Sequence, residues 1–248
     1  MKLSEISTWA PKGSNKNEIK ELTKELKQRM ASLQHKMRAQ EKYSLLVVLQ
    51  GMDASGKDGV VKNVFSKIPA FGISVASFKV PTKKELAHDF LWRIHQESPE
   101  KGQIKIFNRS HYEDVLVTRV LGFVDDAQAK KRFGLINNFE ASLQDNKTIV
   151  LKFYLHLSKE VQEQRLKERM QERDKFYKHS DGDWETRKSW DQYMKYYQEC
   201  IDHTQEAAPW HIIPVDDKWY KEYLIAILVV ETLEHLDLEY PDLVTEIV

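Results

Sequence analysis

The sequence predicts an α/β fold with a central parallel sheet flanked by helices on both faces, and three observations predict it. Short apolar runs alternate with amphipathic stretches along the chain, the pattern of strand–crossover–strand units with right-handed connections. The first run, Ser44 to Gln50 (SLLVVLQ), is nearly continuous in apolar residues, as in a strand covered on both faces. It leads directly into Gly51-Met-Asp-Ala-Ser-Gly-Lys57, a glycine-bearing loop that opens a helical stretch.

From Lys16 to Lys42, Ile19, Leu22, Leu26, Met30, Leu33 and Met37 fall three or four residues apart, which is an amphipathic helix. Its other face carries Lys16, Lys20, Lys24, Lys27, Arg29, Lys36, Arg38 and Lys42, either a solvated face or part of an anion-binding surface. After the strand 44–50, residues Asp58–Lys67 read as helix, Ile73–Phe78 as strand and Lys83–Gln96 as helix. Ile104–Phe107 is a short buried strand, Asp126–Asp145 a helix and Thr148–Leu155 a strand. Ser158 caps a helix running to Arg173. Trp184–Glu206 is helical with Asp183 as its cap, His211–Pro214 is a strand, and Asp216 caps a closing helix to Glu234. Residues 1–42 form an N-terminal extension and 43–248 a single domain, with no repeat and no low-complexity linker. From Glu231 onward there are six acidic residues and no Lys or Arg, which offsets the basic first helix.

Composition narrows the function classes. The 248 residues carry Lys+Arg 38 against Asp+Glu 38, a formal net charge of zero, so bulk charge does not make this a nucleic-acid-coating protein. The single cysteine, Cys200, forms neither an internal disulfide nor a cysteine zinc site, which suits a reducing compartment. The longest apolar run, Leu224 to Val230, falls far short of the ~20 residues that span a bilayer. The first twenty residues hold no apolar signal core. The expectation is a cytoplasmic protein that engages no membrane and no nucleic acid.

The loop Gly51-x-x-x-x-Gly56-Lys57 is the strongest local signal for chemistry. Between a strand and a helix, its backbone N–H groups point inward, the helix N-terminus adds partial positive charge, and Lys57 reaches terminal phosphate oxygens. Two residues break the ordinary nucleotide-binding pattern. Asp58 stands where a Ser or Thr hydroxyl usually holds Mg²⁺, and Asp53 places a carboxylate inside the loop. Carboxylates beside phosphate repel it unless a cation lies between them, so Mg²⁺ is expected, with Mn²⁺ as a substitute.

The segments LQGMDASGKDGVVKNV, FKVPTKKELAHDFLWRIH, KGQIKIFNRSHYEDVLVTRV and APWHIIPVDDKW together resemble the polyphosphate kinase 2 family, over about Lys42 to Glu234. The aspartates of G-x-D-x-x-G-K-D-G separate this loop from ordinary P-loop kinases, and FNRSHYEDV looks like the class III branch. The resemblance implies a P-loop kinase fold with a helical lid at about 165–190. It also implies phosphoryl transfer between inorganic polyphosphate and AMP, ADP or ATP (guanine nucleotides being a further option) with Mg²⁺. A homodimer or homotetramer is the family's expected state.

Carried onto this sequence, the resemblance assigns catalysis to Asp53, Lys57, Asn108, Arg109, Arg165 and Arg169. It assigns substrate binding to Gly51, Ala54, Ser55, Gly56, Lys57, Asp58, Gly59, Lys79, Thr82, Arg93, Glu113 and Arg119, and metal binding to Asp53, Asp58 and Asn108. Many relatives have aspartate where Asn108 stands; the amide cannot supply charge, but its carbonyl can bind Mg²⁺ or a water. Glu113 and Asp114 either restore that charge or are first-turn helix acids. Lys79 lies beyond a strand C-terminus, where ligands collect in open α/β sheets. Arg93 reads equally as a helix-face ion pair. Arg109 and Arg119 are candidate phosphate clamps. Arg165, Arg169 and Arg173 share a helix face, either an ordinary mixed-charge face or a lid closing on phosphate. Histidines 88, 95, 111, 156, 179, 203, 211 and 235 show no metal-ligand spacing. Two other readings stay open: an ATP-dependent nucleoside monophosphate kinase, and a polyphosphate- or nucleotide-binding protein without chemistry.

Overall fold

The run SLLVVLQ forms β1 (Ser44–Gln50), every residue of it buried, because it is paired on both edges and covered on both faces. β3 (Ile104–Asn108) lies parallel along one edge with Ile106 opposite Val47. β4 (Thr148–His156) lies parallel along the other with Leu151 opposite Val47. β2 (Ile73–Ser77) and β5 (Trp210–Pro214) complete a five-stranded sheet in the order β2-β3-β1-β4-β5, all neighbours parallel. The computed structural model describes residues 2–243; the last acidic residue noted in the sequence, Glu246, lies outside them.

The two-residue period of β1 sends alternate side chains into two cores. Leu46 and Val48 join α6 (Asp126–Asp145) and α9 (Trp190–His203) on one face. Leu45, Val47 and Leu49 join α1 (Lys16–Gln40), α2 (Lys57–Val64) and α10 (Lys218–Glu234) on the other. The predicted stripe of α1 buries Met30, Leu33 and Met37, while Leu22 stays exposed. This helix packs along α10, with Arg29 Nε 2.8 Å from Glu234 Oε1. At the N-terminus Leu3 reaches the first core, and Thr8 O accepts from Asp216 N.

Several boundaries differ from the sequence expectation, each for a local hydrogen-bonding reason. The stretch 83–96 is not one helix but two turns, α3 (Lys83–Leu86) and α4 (Trp92–His95). Thr82 and Glu85 cap α3 reciprocally, and Asp89 Oδ1 accepts from Leu91 N, which starts a fresh turn. The stretch 184–206 divides at Ser189 into α8 (Asp181–Lys188) and α9. Ser180, not Asp183, caps α8, because the Asp183 carboxylate is taken by Arg169. Asp217, not Asp216, is the N-cap of α10; Asp216 Oδ1 instead accepts from Ser158 N. Ser158 caps α7 (Lys159–Gln171) as expected, accepting from Val161 N. Between β3 and α6 the chain adds a 3₁₀ turn, His111–Asp114, and α5 (Val117–Val120). Residues 159–188 form a helical excursion between β4 and α9. Among the described residues no helix is long and apolar enough to cross a membrane.

Candidate active site

The loop after β1 turns back on itself through backbone that only certain residues adopt cheaply. Gly51 has φ +150°, and a Cβ there would sit 2.8 Å from Leu155 O of β4. Gly56 has φ +93°, and a Cβ would sit 2.8 Å from Lys221 Nζ. Ala54 is left-handed at φ 63° without being glycine, a conformation that costs energy and clusters at functional loops. Ser55 N closes the turn on Met52 O. Lys57 folds into the loop it follows, donating to Gly51 O at 2.7 Å and Met52 O at 3.2 Å. Burial pushes its pKa down to about 8, Arg109 adds to the shift, and Asp53, Glu113 and Asp58 oppose it.

Asp53 and Asp58 meet partners from the end of β3. Arg109, at φ 65°, donates through Nη2 to Asp53 Oδ1 at 2.6 Å and through Nη1 to Glu113 Oε2 at 3.3 Å. Burial works against the Arg109 charge, but Glu113 and Asp53 outweigh it and raise its pKa. Asn108 Nδ2 donates to Asp58 Oδ1 at 2.7 Å. The amide at position 108 therefore meets the neighbouring carboxylate as a donor, something an aspartate could not do.

These groups line one open cavity of about 660 Å³ at the C-terminal ends of the strands, with ten Lys or Arg residues against five carboxylates. From the helical excursion come Arg169, Lys175, Tyr177, Lys178 and Asp183. Arg169 Nη1 lies 2.5 Å from Asp183 Oδ2, and burial followed by the nearby Asp53 raises the Asp183 pKa. From α2 and α10 come Lys62, Lys218 and Lys221. Lys221 is buried with its Nζ 3.3 Å from Gly56 O, and burial is the first cause that lowers its pKa to about 8.

Of the residues assigned from sequence, the structure brings Asp53, Ala54, Gly56, Lys57, Asp58, Gly59, Lys79, Asn108, Arg109, Arg165 and Arg169 to this cavity. Several stand differently from the expectation. Arg165 lines it, but its guanidinium donates to the carbonyls of Ala54, Val215 and Asp216, so it braces the loop from behind. Arg119 does not line it: its buried guanidinium is held by Glu199 and Asp126 and lies over the Tyr196 ring. Thr82 is the cap of α3. Arg93 joins Lys79 O to Asp114 and so supports the segment bearing Lys79. Glu113 acts through Arg109, while Gly51 and Ser55 form the buried root of the loop. Lys62, Lys218 and Lys221 were not singled out from sequence. Only the pairing of two lysines three apart at the start of the last helix could have flagged the latter two.

Among the described residues no three His, Cys, Asp or Glu converge as a metal cluster. The donor set nonetheless fits Mg²⁺, which takes one or two carboxylates and completes its shell with water and substrate phosphates. Asp53 and Asp58 each have one oxygen engaged, by Arg109 and Asn108, and line the same cavity as Lys57.

The model of the family described as polyphosphate kinase 2 matches residues 13–241. The chain is 48% identical over 217 residues to an AMP/ADP-polyphosphate phosphotransferase of Meiothermus ruber, covering 87% of this chain and 81% of that one. It is 39% identical over 241 residues to an ADP-polyphosphate phosphotransferase of Rhodopseudomonas palustris, covering 92% and 83%. The crystal structure of a polyphosphate kinase 2 from Arthrobacter aurescens superposes with a TM-score of 0.96 at 36% identity, over 100% of this chain and 90% of that one.

Proposed function

The chain belongs to the polyphosphate kinase 2 family, and from that premise we propose that it transfers the terminal phosphoryl group of inorganic polyphosphate to AMP or ADP. The observation that carries the proposal is the composition of the cavity. A phosphate-binding loop with Lys57 is surrounded by a twofold excess of cations, yet the loop itself holds Asp53 and Asp58. Excess positive charge suits a donor that is anionic along its whole length. The two acids suit a divalent ion shared with the phosphates, and Asp53, Asp58 and the carbonyl of Asn108 are the groups that would hold Mg²⁺. Mg²⁺ held by these groups would neutralise phosphate charge during transfer.

Phosphoryl transfer needs in-line alignment and charge stabilisation rather than covalent help. Lys57 and the inward N–H groups of the loop hold the transferring end of the donor. Lys62, Lys218 and Lys221, on the α2–α10 side, hold the phosphates behind it. Arg109, fixed between Asp53 and Glu113, presents its free edge to the acceptor phosphate and to the group in flight. The excursion 159–188 acts as a lid: Arg169 exchanges Asp183 for phosphate as it closes, and water is excluded. Arg165 holds the loop while this happens.

The test offers AMP or ADP with polyphosphate in one arm and AMP with ATP alone in the other. Turnover with polyphosphate is expected, and turnover confined to the ATP arm overturns the donor assignment. Lys218→Gln should raise the KM for long polyphosphate several-fold and leave the acceptor KM unchanged. An unchanged donor profile removes the α2–α10 side from donor binding.

A further inference from the structure

Beneath the cavity, on the face covered by α6 and α9, four polar side chains sit with no solvent access: His111, Tyr112, Glu140 and Lys152. Lys152 lies mid-strand in β4, opposite Val48 of β1 and Trp210 of β5, a cation in the centre of an apolar sheet. All three of its protons are used: on Glu140 Oε2 at 2.6 Å, Thr204 O at 2.5 Å and Tyr112 Oη at 2.9 Å. Tyr112 donates in turn to Glu140 Oε1 at 2.8 Å, and His111 Nε2 lies 3.2 Å from the same oxygen.

A buried ion pair contributes little net stability compared with apolar side chains of the same volume. Its presence here calls for a reason other than holding the sheet together. The connections supply one. His111 and Tyr112 follow Arg109 and Ser110 in the chain. Ser110 Oγ accepts from Tyr112 N and from Nε2 of Gln50, the residue just before the phosphate loop. Three consecutive residues, 110 to 112, are thereby pinned in the interior. The residues on either side of them, Arg109 and Glu113, reach outward to Asp53 and to each other.

We propose that Glu140 and Lys152 are positioning residues for phosphoryl transfer: the buried pair grips Tyr112 and His111, and so sets where Arg109 stands in the cavity and where Glu113 holds it. The inference rests on the proposed reaction, but it concerns a group that touches no substrate. A displacement of about an ångström at a reacting group costs up to roughly a hundredfold in rate. The grip therefore acts on kcat and leaves the donor-binding lysines of α2 and α10 undisturbed.

The decisive variant replaces both charges together, Glu140→Leu with Lys152→Met, beside Tyr112→Phe, which keeps the pair and its His111 contact but removes the hydroxyl link to the turn. No lone charge is left buried in the double variant, but the Tyr112 hydroxyl, His111 Nε2 and Thr204 O lose their partners, so it should stay folded and melt several degrees below the parent. Its kcat should fall roughly 10- to 100-fold with the polyphosphate KM within about twofold. Tyr112→Phe leaves one proton of Lys152 and one oxygen of Glu140 short of a partner, so it should melt a few degrees lower and lose several-fold in kcat with the polyphosphate KM unchanged. A folded double variant with parental kcat overturns the inference. Should the double variant fail to fold, parental kcat in Tyr112→Phe overturns it equally. The two failures are distinguishable, because absence of polyphosphate-dependent turnover in the parent chain defeats the reaction assignment instead.

Discussion

Donor binding at alkaline pH should take up protons, and the amount follows from two buried lysines. Burial lowers both Lys57 and Lys221 to about 8. At pH ~9 a group with that pKa is charged about one-tenth of the time, whereas a lysine at its ordinary value is almost fully charged. A polyanion seated against both ammonium groups favours their charged forms and returns them towards that ordinary value. Binding should then take up about 0.9 proton per lysine, nearly two in all, at pH ~9, and only about 0.2 in all near pH 7. The terminal phosphates of the donor are ionised at the higher pH and do not mask the effect. Calorimetric titration with a medium-length polyphosphate, repeated in buffers of different ionisation enthalpy, reads the number directly. Lys221→Met should remove about half of it. Affinity should weaken as pH rises above about 8, because the free protein must then acquire the protons. Tight binding at pH ~9 with no dependence on buffer ionisation would refute the argument.

Asn108→Asp replaces the donor 2.7 Å from Asp58 Oδ1 with a second carboxylate. It should lower the melting temperature by several degrees in chelator and recover most of the loss in millimolar Mg²⁺; an equal loss in both conditions would separate Asn108 from the metal. Arg109→Lys keeps the charge but not the fork that spans Asp53 and Glu113, and should lower kcat roughly 100-fold; a loss below about threefold would remove that bridge from the mechanism. Gly51→Ala meets Leu155 O at 2.8 Å from a backbone at φ +150°. It should destabilise the fold by about 2 kcal/mol or more, read as a lower denaturant midpoint, and an unchanged midpoint would contradict the close approach.

What could be read from the sequence was what is encoded locally. The passage from β1 through the phosphate loop into α2 is contiguous, so residues 44–64 announce both their structure and their chemistry. The parallel sheet follows from strands too far apart for hairpins. The cap at Ser158 is a three-residue pattern. Long-range chemistry was not legible in the same way. Lys218 and Lys221 enter the cavity only because α10 packs beside α2, and on a helix they look like any solvated lysine. Arg119 and Arg165 carry the right charge, but it is committed to Glu199 and Asp126 in one case and to backbone carbonyls in the other. Periodicity likewise continues through Ser189 and across residues 87–91, where the helices in fact break. Lys152 and Glu140 sit in segments that read as strand and helix, and nothing in either segment alone discloses that they meet.

The lopsided lining of the cavity has a consequence for how substrate arrives. The chain as a whole is electrically balanced, so the excess of ten cations over five carboxylates around one opening is compensated by surplus negative charge on the remaining exterior. The opening is thus a local positive pole. An approaching oligoanion is drawn towards this opening by the field its cations focus there. Productive collisions are selected before any contact forms, and salt should slow this search more than it slows the chemical step.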